Sequence, residues 1–223
     1  SPDAVRDGRE TSRFTRAAVV AKRDRSPQRM KMTRAPTSDN AAHYLPTVGT
    51  PMKIQALAYV VAETTDAARW KQYAEQVLGA ATAPAAGGAL YVKLDERAQR
   101  LLAVPGAADR YLASGWEVAD AQGFAETVAA LKKAGVEVKD GSETERTLRG
   151  FEKMAVFTDP AGNRHELVQG YVGGAATFVS KVGVKGFKTG AQGMGHTVLP
   201  APQNFDATLK LFRDVLGFGL SDV

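Results

Sequence analysis

GFKTGAQGMGHTVLPAPQNFDATLKLFRDVLGF, residues 186–218, is the stretch on which the rest of the chain is read. His196 opens a short apolar run, Thr197-Val198-Leu199, of strand character. Phe205, Leu209, Phe212 and Leu216 then recur at helical spacing, and the pattern closes on Gly217-Phe218. Residues 57–79, LAYVVAETTDAARWKQYAEQVLG, repeat the design, with Tyr59 in the place of His196 and Val77-Leu78-Gly79 at the end. The chain therefore reads as one finished copy of a module followed by the first strand and helix of a second.

Working outward through the first copy, residues 54–62 predict a buried strand with Leu57, Tyr59 and Val61 on one face and Val60 on the other. Thr64-Thr65-Asp66 supplies a helix N-cap. Trp70, Tyr73, Val77 and Leu78 fall on one helical face, and Gly79 is placed to close the helix in a left-handed conformation. Residues 84–88 read as a loop, and residues 89–94 and 100–104 as a hairpin. The pattern then recurs. Residues 116–118 predict a short strand, and Asp120 caps a helix with Phe124, Val128 and Leu131 inward, ending at Gly135. Residues 136–138 form a strand, and Ser142-Glu143-Thr144-Glu145 has capping-box spacing. Residues 154–158 and 165–169 are strands joined by the turn Asp159-Pro160-Ala161-Gly162-Asn163. Two such units in tandem predict an α+β fold: a curved mixed sheet with both helices on one side and the other face open as a cavity.

Composition narrows the partners. The chain has 223 residues, 44% of them hydrophobic, and no cysteine, which excludes disulfides, zinc–thiolate sites and thiol nucleophiles. No run approaches the length of a membrane span, and the expected location is cytoplasmic. The net charge of +5 is confined to residues 1–51, which hold ten Lys/Arg against five Asp/Glu; the remainder balances. A nucleic-acid partner is therefore not expected. Residues 1–51 have the composition of a disordered basic leader, with Met52 as the expected natural start and His43 a solvated loop residue.

The sequence DPAGNRHE at 159–166 resembles the late turn and strand of the vicinal oxygen chelate superfamily, the glyoxalase, bleomycin-resistance and dioxygenase fold built from tandem βαβββ modules. GWEVAD at 115–120, FKTGAQGMGH at 187–196 and FRDVLGF at 212–218 are similar to type I extradiol ring-cleaving dioxygenases, those of the biphenyl and steroid-degradation branches above all. The resemblance implies a metal-free N-terminal domain over 52–170, a linker over 171–192, and the first strand and helix of a catalytic domain over 193–223. It implies Fe(II), O₂ and a catecholic substrate in aromatic or steroid catabolism, with a homo-oligomer as the full-length form.

By the same resemblance His196 is the first of three iron ligands and Val198 lines the substrate pocket. The second histidine and the glutamate are expected beyond Val223, so this chain alone should hold no iron and be inactive. In the first copy the corresponding positions are Tyr59, near Ala113, and Glu166, which cannot bind iron. Glu166 is expected to accept hydrogen bonds as a structural group, and His165, on the opposite face, to be exposed. The alternative is a non-catalytic small-molecule-binding protein of the bleomycin-resistance type. A glyoxalase-type isomerase fits less well, because the first copy lacks the ligands such an enzyme would place there.

Overall fold

The computed structural model describes residues 18–20 and 54–219; the expectations for His43, Met52 and most of the leader fall outside them. β1 (Ala18–Val20) stands apart and pairs only with β10. β2 (Ile54–Thr64) leads into α1 (Ala67–Tyr73), which continues as a π turn over Ala74–Leu78. β3 (Ala81–Pro84), β4 (Leu90–Lys93), β5 (Leu101–Pro105) and β6 (Arg110–Val118) follow. The second unit adds α2 (Ala121–Lys133), β7 (Val138–Asp140), α3 (Glu143–Arg149), β8 (Phe151–Thr158) and β9 (Arg164–Tyr171). After a long connection come β10 (His196–Val198) and α4 (Phe205–Lys210), which also passes into a π turn, Leu211–Val215. Eight strands form one mixed sheet in the order β3-β4-β5-β2-β6-β9-β8-β7.

The expected α+β architecture is present, and α1, α2 and the α4 segment lie on one face of the sheet. Leu131 of α2, with Phe124 and Val128 against it, joins Ile54, Leu57, Trp116, Ala155, Phe157 and Leu167 in a core. Trp70, Ala74 and Leu78 pack on Leu90, Val92 and Ala103 beyond it. The parallel register of β2 and β5, Val60 opposite Leu101 and Val61 opposite Leu102, carries this helix face across both cores. The other face carries Tyr59, Val61, Leu102, Ala113, Phe151, Met154 and Val168. It is not left as an open cavity: α3 crosses it, and the Tyr91 hydroxyl donates to Leu148 O at 2.9 Å.

Two local predictions are corrected. Leu57 and Tyr59 do not share a face, because the ladder between β2 and β6 slips between them. That bulge turns Leu57 and Val60 to the helices and Tyr59 and Val61 to the opposite side. The helical stripe of the first copy is also broken. The π turn adds a residue to the helix, so Ala74 is buried while Tyr73 and Val77 are 51% and 67% exposed. β3, over residues the sequence reading left unassigned up to the loop at 84–88, pairs with β4.

The second copy repeats this irregularity one residue out of step. α1 and α4 each give way to a five-residue π turn, the first ending directly before Gly79 and the second one residue short of Gly217, and both glycines have positive φ, 71° and 77°. Ala80 N–H donates to Ala74 O at 2.8 Å, and Phe218 N–H donates to Phe212 O at 2.9 Å, the same six-residue closure in both. The second helix finds its surface on the first module. Leu211, Phe212, Leu216 and Phe218 are buried on the helix face beside Trp116 and Phe157. Phe212 and Phe218 meet the Trp116 ring edge-on, with centroids 6.1 and 5.1 Å away.

Candidate functional site

Three neighbouring strands bring the first-copy positions together on the face opposite the helices. Tyr59 on β2 is in register with Gly115 on β6, and Gly115 with Glu166 on β9. Gly115, not Ala113, therefore lies between the two. A Cβ built on Gly115 would fall on the Tyr59 ring, 2.6 Å from Cε2, so the missing side chain is what lets the phenol cross β6. The Tyr59 hydroxyl then donates to Glu166 Oε2 at 2.7 Å.

The remaining partner comes from α3. Ser142 and Glu145 form the expected capping box at its start, and Gly150 ends it with φ 72°. That termination leaves Arg149 on the last turn, buried and aimed at the sheet. Its Nε and Nη2 each donate to Glu166 at 3.0 Å, one to each oxygen. Arg164 adds donors to Oε1 at 3.1 and 3.3 Å and reaches Glu145 Oε1 at 2.7 Å. Every lone-pair direction of Glu166 is thus engaged, which bears out its structural role. Burial, reinforced by the Glu166 charge, pushes the Tyr59 phenol well above its ordinary value and keeps it a donor. Burial alone would weaken the hold of Arg149 on its proton, but the charge and hydrogen bonds of Glu166 more than offset this, and the guanidinium holds it more firmly.

His165 is not exposed, as its alternation with Glu166 had suggested, but fully buried, because the far face of β9 is covered by helices. Trp116 Nε1–H donates to its Nδ1 at 3.0 Å, and Nε2 bonds Asp159 Oδ2 at 3.1 Å. Since the indole can only donate, the proton sits on Nε2. The ring stacks on Phe157 and meets Phe212 edge-on. Asp159 also accepts from the backbone and side chain of Asn163, both at 2.9 Å. Burial alone would raise the Asp159 carboxyl, but the bonds from His165 and Asn163 hold it below its ordinary value.

The second-copy residues lie apart from this cluster. Gly193 bridges Leu57, and Met194 N–H donates to Leu57 O at 2.9 Å, where the β2 bulge frees that carbonyl. Asn163 Nδ2–H donates to Pro200 O at 3.0 Å, and Asn204 Nδ2–H to Pro160 O at 2.9 Å. β10 is pinned between these ties. His196 and Val198, both on it, are exposed. Among the described residues no three or more His, Cys, Asp or Glu side chains come together in a way that could hold a metal ion. The described donors therefore do not fit an iron centre: one imidazole is solvent-facing, and the one strand-end carboxylate is committed to arginine. A shallow pocket of about 590 Å³ opens between Ala89, Tyr91 and Val104 on the sheet and Thr144, Thr147 and Leu148 on α3.

Two tandem units, a bulged first strand and a carboxylate on the last strand facing away from the helices define the vicinal oxygen chelate class of protein. The family model for dihydroxybiphenyl dioxygenase BphC D1 matches residues 57–106. An iron-dependent extradiol dioxygenase of Rhodococcus jostii is 39% identical over 172 residues, covering 77% of this chain and 57% of that protein. A 3-methylcatechol 2,3-dioxygenase of Pseudomonas putida is 40% identical over 177 residues, covering 77% and 59%. The crystal structure of a halotolerant catechol dioxygenase superposes with a TM-score of 0.72 at 30% identity, covering 77% of this chain and 58% of that one. Within its class the chain is similar to extradiol dioxygenases over the part of their length that it spans. It spans 57 to 59% of the length of these curated relatives. No helix among the described residues is long and apolar enough to cross a membrane.

Two residues that matter here escaped the sequence reading. Gly115 was placed before a strand read as beginning at Trp116, whereas β6 begins at Arg110; a glycine inside a strand does signal close approach of another group. Arg149 carried only the weak signal of a cation beside a helix-ending glycine.

Proposed function

We propose that this chain is the N-terminal region of an Fe(II)-dependent extradiol dioxygenase, which opens a catechol ring beside the diol with O₂ in aromatic or steroid catabolism. The observation that carries the reading is the match to dioxygenases over 172 and 177 residues, 77% of this chain, beside the resemblance of FKTGAQGMGH at 187–196 to the same enzymes. In this reading residues 52–170 are a metal-free domain, residues 171–192 a linker, and residues 193–223 the opening of the catalytic domain. His196 is one metal ligand, and Val198, two residues along the same strand, is a pocket position. Iron would supply Lewis acidity toward the catechol and electron transfer to oxygen. The first module fastens β10 at Met194 and Pro200 and presents it outward; it does no proton or redox chemistry, since Glu166 is saturated and Tyr59 stays protonated. Two further donors are needed, so the chain by itself is inactive. The whole protein is a cytoplasmic homo-oligomer with no nucleic-acid or membrane partner.

The test is iron content and ring cleavage, with 3-methylcatechol and 2,3-dihydroxybiphenyl, of this chain and of a longer version carrying natural downstream sequence. Yellow ring-fission product from the longer form alone is expected; product from this chain, or from neither, defeats the reading. The open pocket beside Tyr91 favours a second reading, a binding module that needs no metal. Saturable binding of a small aromatic by the metal-free chain, abolished by Leu148→Arg, would support it.

A further inference from the structure

The cluster around Glu166 does something that neither the family match nor the proposed chemistry requires. Glu166 is a fully buried carboxylate on the last strand of the module, placed through Gly115 beside the first-strand residue Tyr59. A second-copy residue at the place of Tyr59 is the histidine His196. In the proposed reading the second copy gives that position's donor to a metal, whereas in the first copy protein groups fill it.

The filling is chemically specific. A buried carboxylate needs a compensating charge, and phenol donation alone leaves the site anionic. Arg149 supplies that charge from outside the sheet, across from α3, with a two-point contact to both oxygens and only 4% exposure. Arg164 also touches Oε1, but it is partly exposed and shared with Glu145. Arg149 and Glu166 therefore make the enclosed pair, and Arg164 and Glu145 an outer one.

We propose that Arg149 is the module's built-in cation: its guanidinium takes the position at Glu166 that an ion-binding copy would give to its metal, and the site remains a cation site when the arginine side chain is removed. The emptied space should accept a small planar cation that can bridge both carboxylate oxygens, guanidinium itself. It should reject divalent metal, because a phenol, a glycine and one carboxylate offer too few ionised donors. This holds whether or not the whole protein cleaves catechols, and the two claims fail separately.

The experiment is thermal unfolding of wild type, Arg149→Ala and a control cavity variant, Val61→Ala, with and without millimolar guanidinium chloride or manganese(II) chloride. Arg149→Ala should lower Tm by about 10 °C, as expected for stranding a buried charge. Guanidinium should restore most of that loss in Arg149→Ala, with no gain for wild type or Val61→Ala, and manganese should restore none. An unchanged Tm in Arg149→Ala, indifference to guanidinium, or rescue by manganese instead would overturn the proposal. If Arg149→Ala gives no folded protein, the neutral pair Arg149→Met with Glu166→Gln decides. Folding of that pair where Arg149→Met alone fails supports the role of Arg149 as counter-charge, and equal failure of both overturns it.

Discussion

Gly115→Ala puts one methyl group where the geometry leaves no space for it. The new Cβ would lie 2.5 Å from Cε1 and 2.6 Å from Cε2 of Tyr59, against about 3.5 to 4.0 Å for carbon atoms in contact. Relief requires a shift of roughly an ångström in a ring that is 1% exposed. The ring cannot give that distance and keep its 2.7 Å bond to Glu166. Overpacking costs about 1–3 kcal/mol, and loss of a hydrogen bond to a charged group about 1.5–3 kcal/mol. A destabilisation of about 3 kcal/mol or more is expected, read as a lower urea midpoint at unchanged slope. Shrinking the ring in the same background, Gly115→Ala with Tyr59→Leu, should cost less than the two single changes added together. A Gly115→Ala protein within about 1 kcal/mol of wild type, the ordinary range of surface changes being smaller still, would refute the argument that this glycine exists to let the phenol pass.

Three other outcomes follow from the packing. Gly193 has φ 68°, and a Cβ there would strike the Leu57 carbonyl, so Gly193→Ala should cost about 1–3 kcal/mol locally and remove hydrogen-exchange protection from Met194 N–H while leaving β2 amides protected. Phe212→Ala should cost about 3–5 kcal/mol and shift the emission of Trp116 to the red; unchanged unfolding and emission would mean the second-copy helix does not rest on the first module. The lowered pKa of Asp159 contributes stability that is fully present above its unfolded value near pH 3.9 and is lost as pH falls through the lower folded value. Asp159→Asn should flatten that acid limb in pH-dependent denaturation, and an identical limb in the variant would contradict the assignment.

The order of elements was legible because its signals are local. Asp120 and Ser142 cap the helices that their positions announce, and Gly79, Gly135 and Gly150 end helices or follow them with positive φ. What escaped the reading depends on neighbours far along the chain. Alternation placed His165 correctly on the face opposite Glu166, but nothing in the strand says that this face is covered by helices from two copies, so the expected exposure failed. Period-two counting in β2 fails at a bulge set by the β6 partner, and period-3.6 counting in α1 fails at a π turn. The Glu166 site was half visible: its carboxylate and phenol were found by matching copies, whereas its arginine arrives from an element with no counterpart in the repeat pattern.

The paired π turns have a consequence of their own. A wide helical turn is rare, and the same rarity within one residue of the same step in two segments is inherited more readily than invented twice. The six-residue closures before Ala80 and Phe218 align the copies even where their composition differs. In that alignment Ala74 in one copy answers Phe212 in the other. The two helices therefore differ in how closely they may approach a sheet, and exchanging them would put a benzyl group where the α1 surface admits only a methyl.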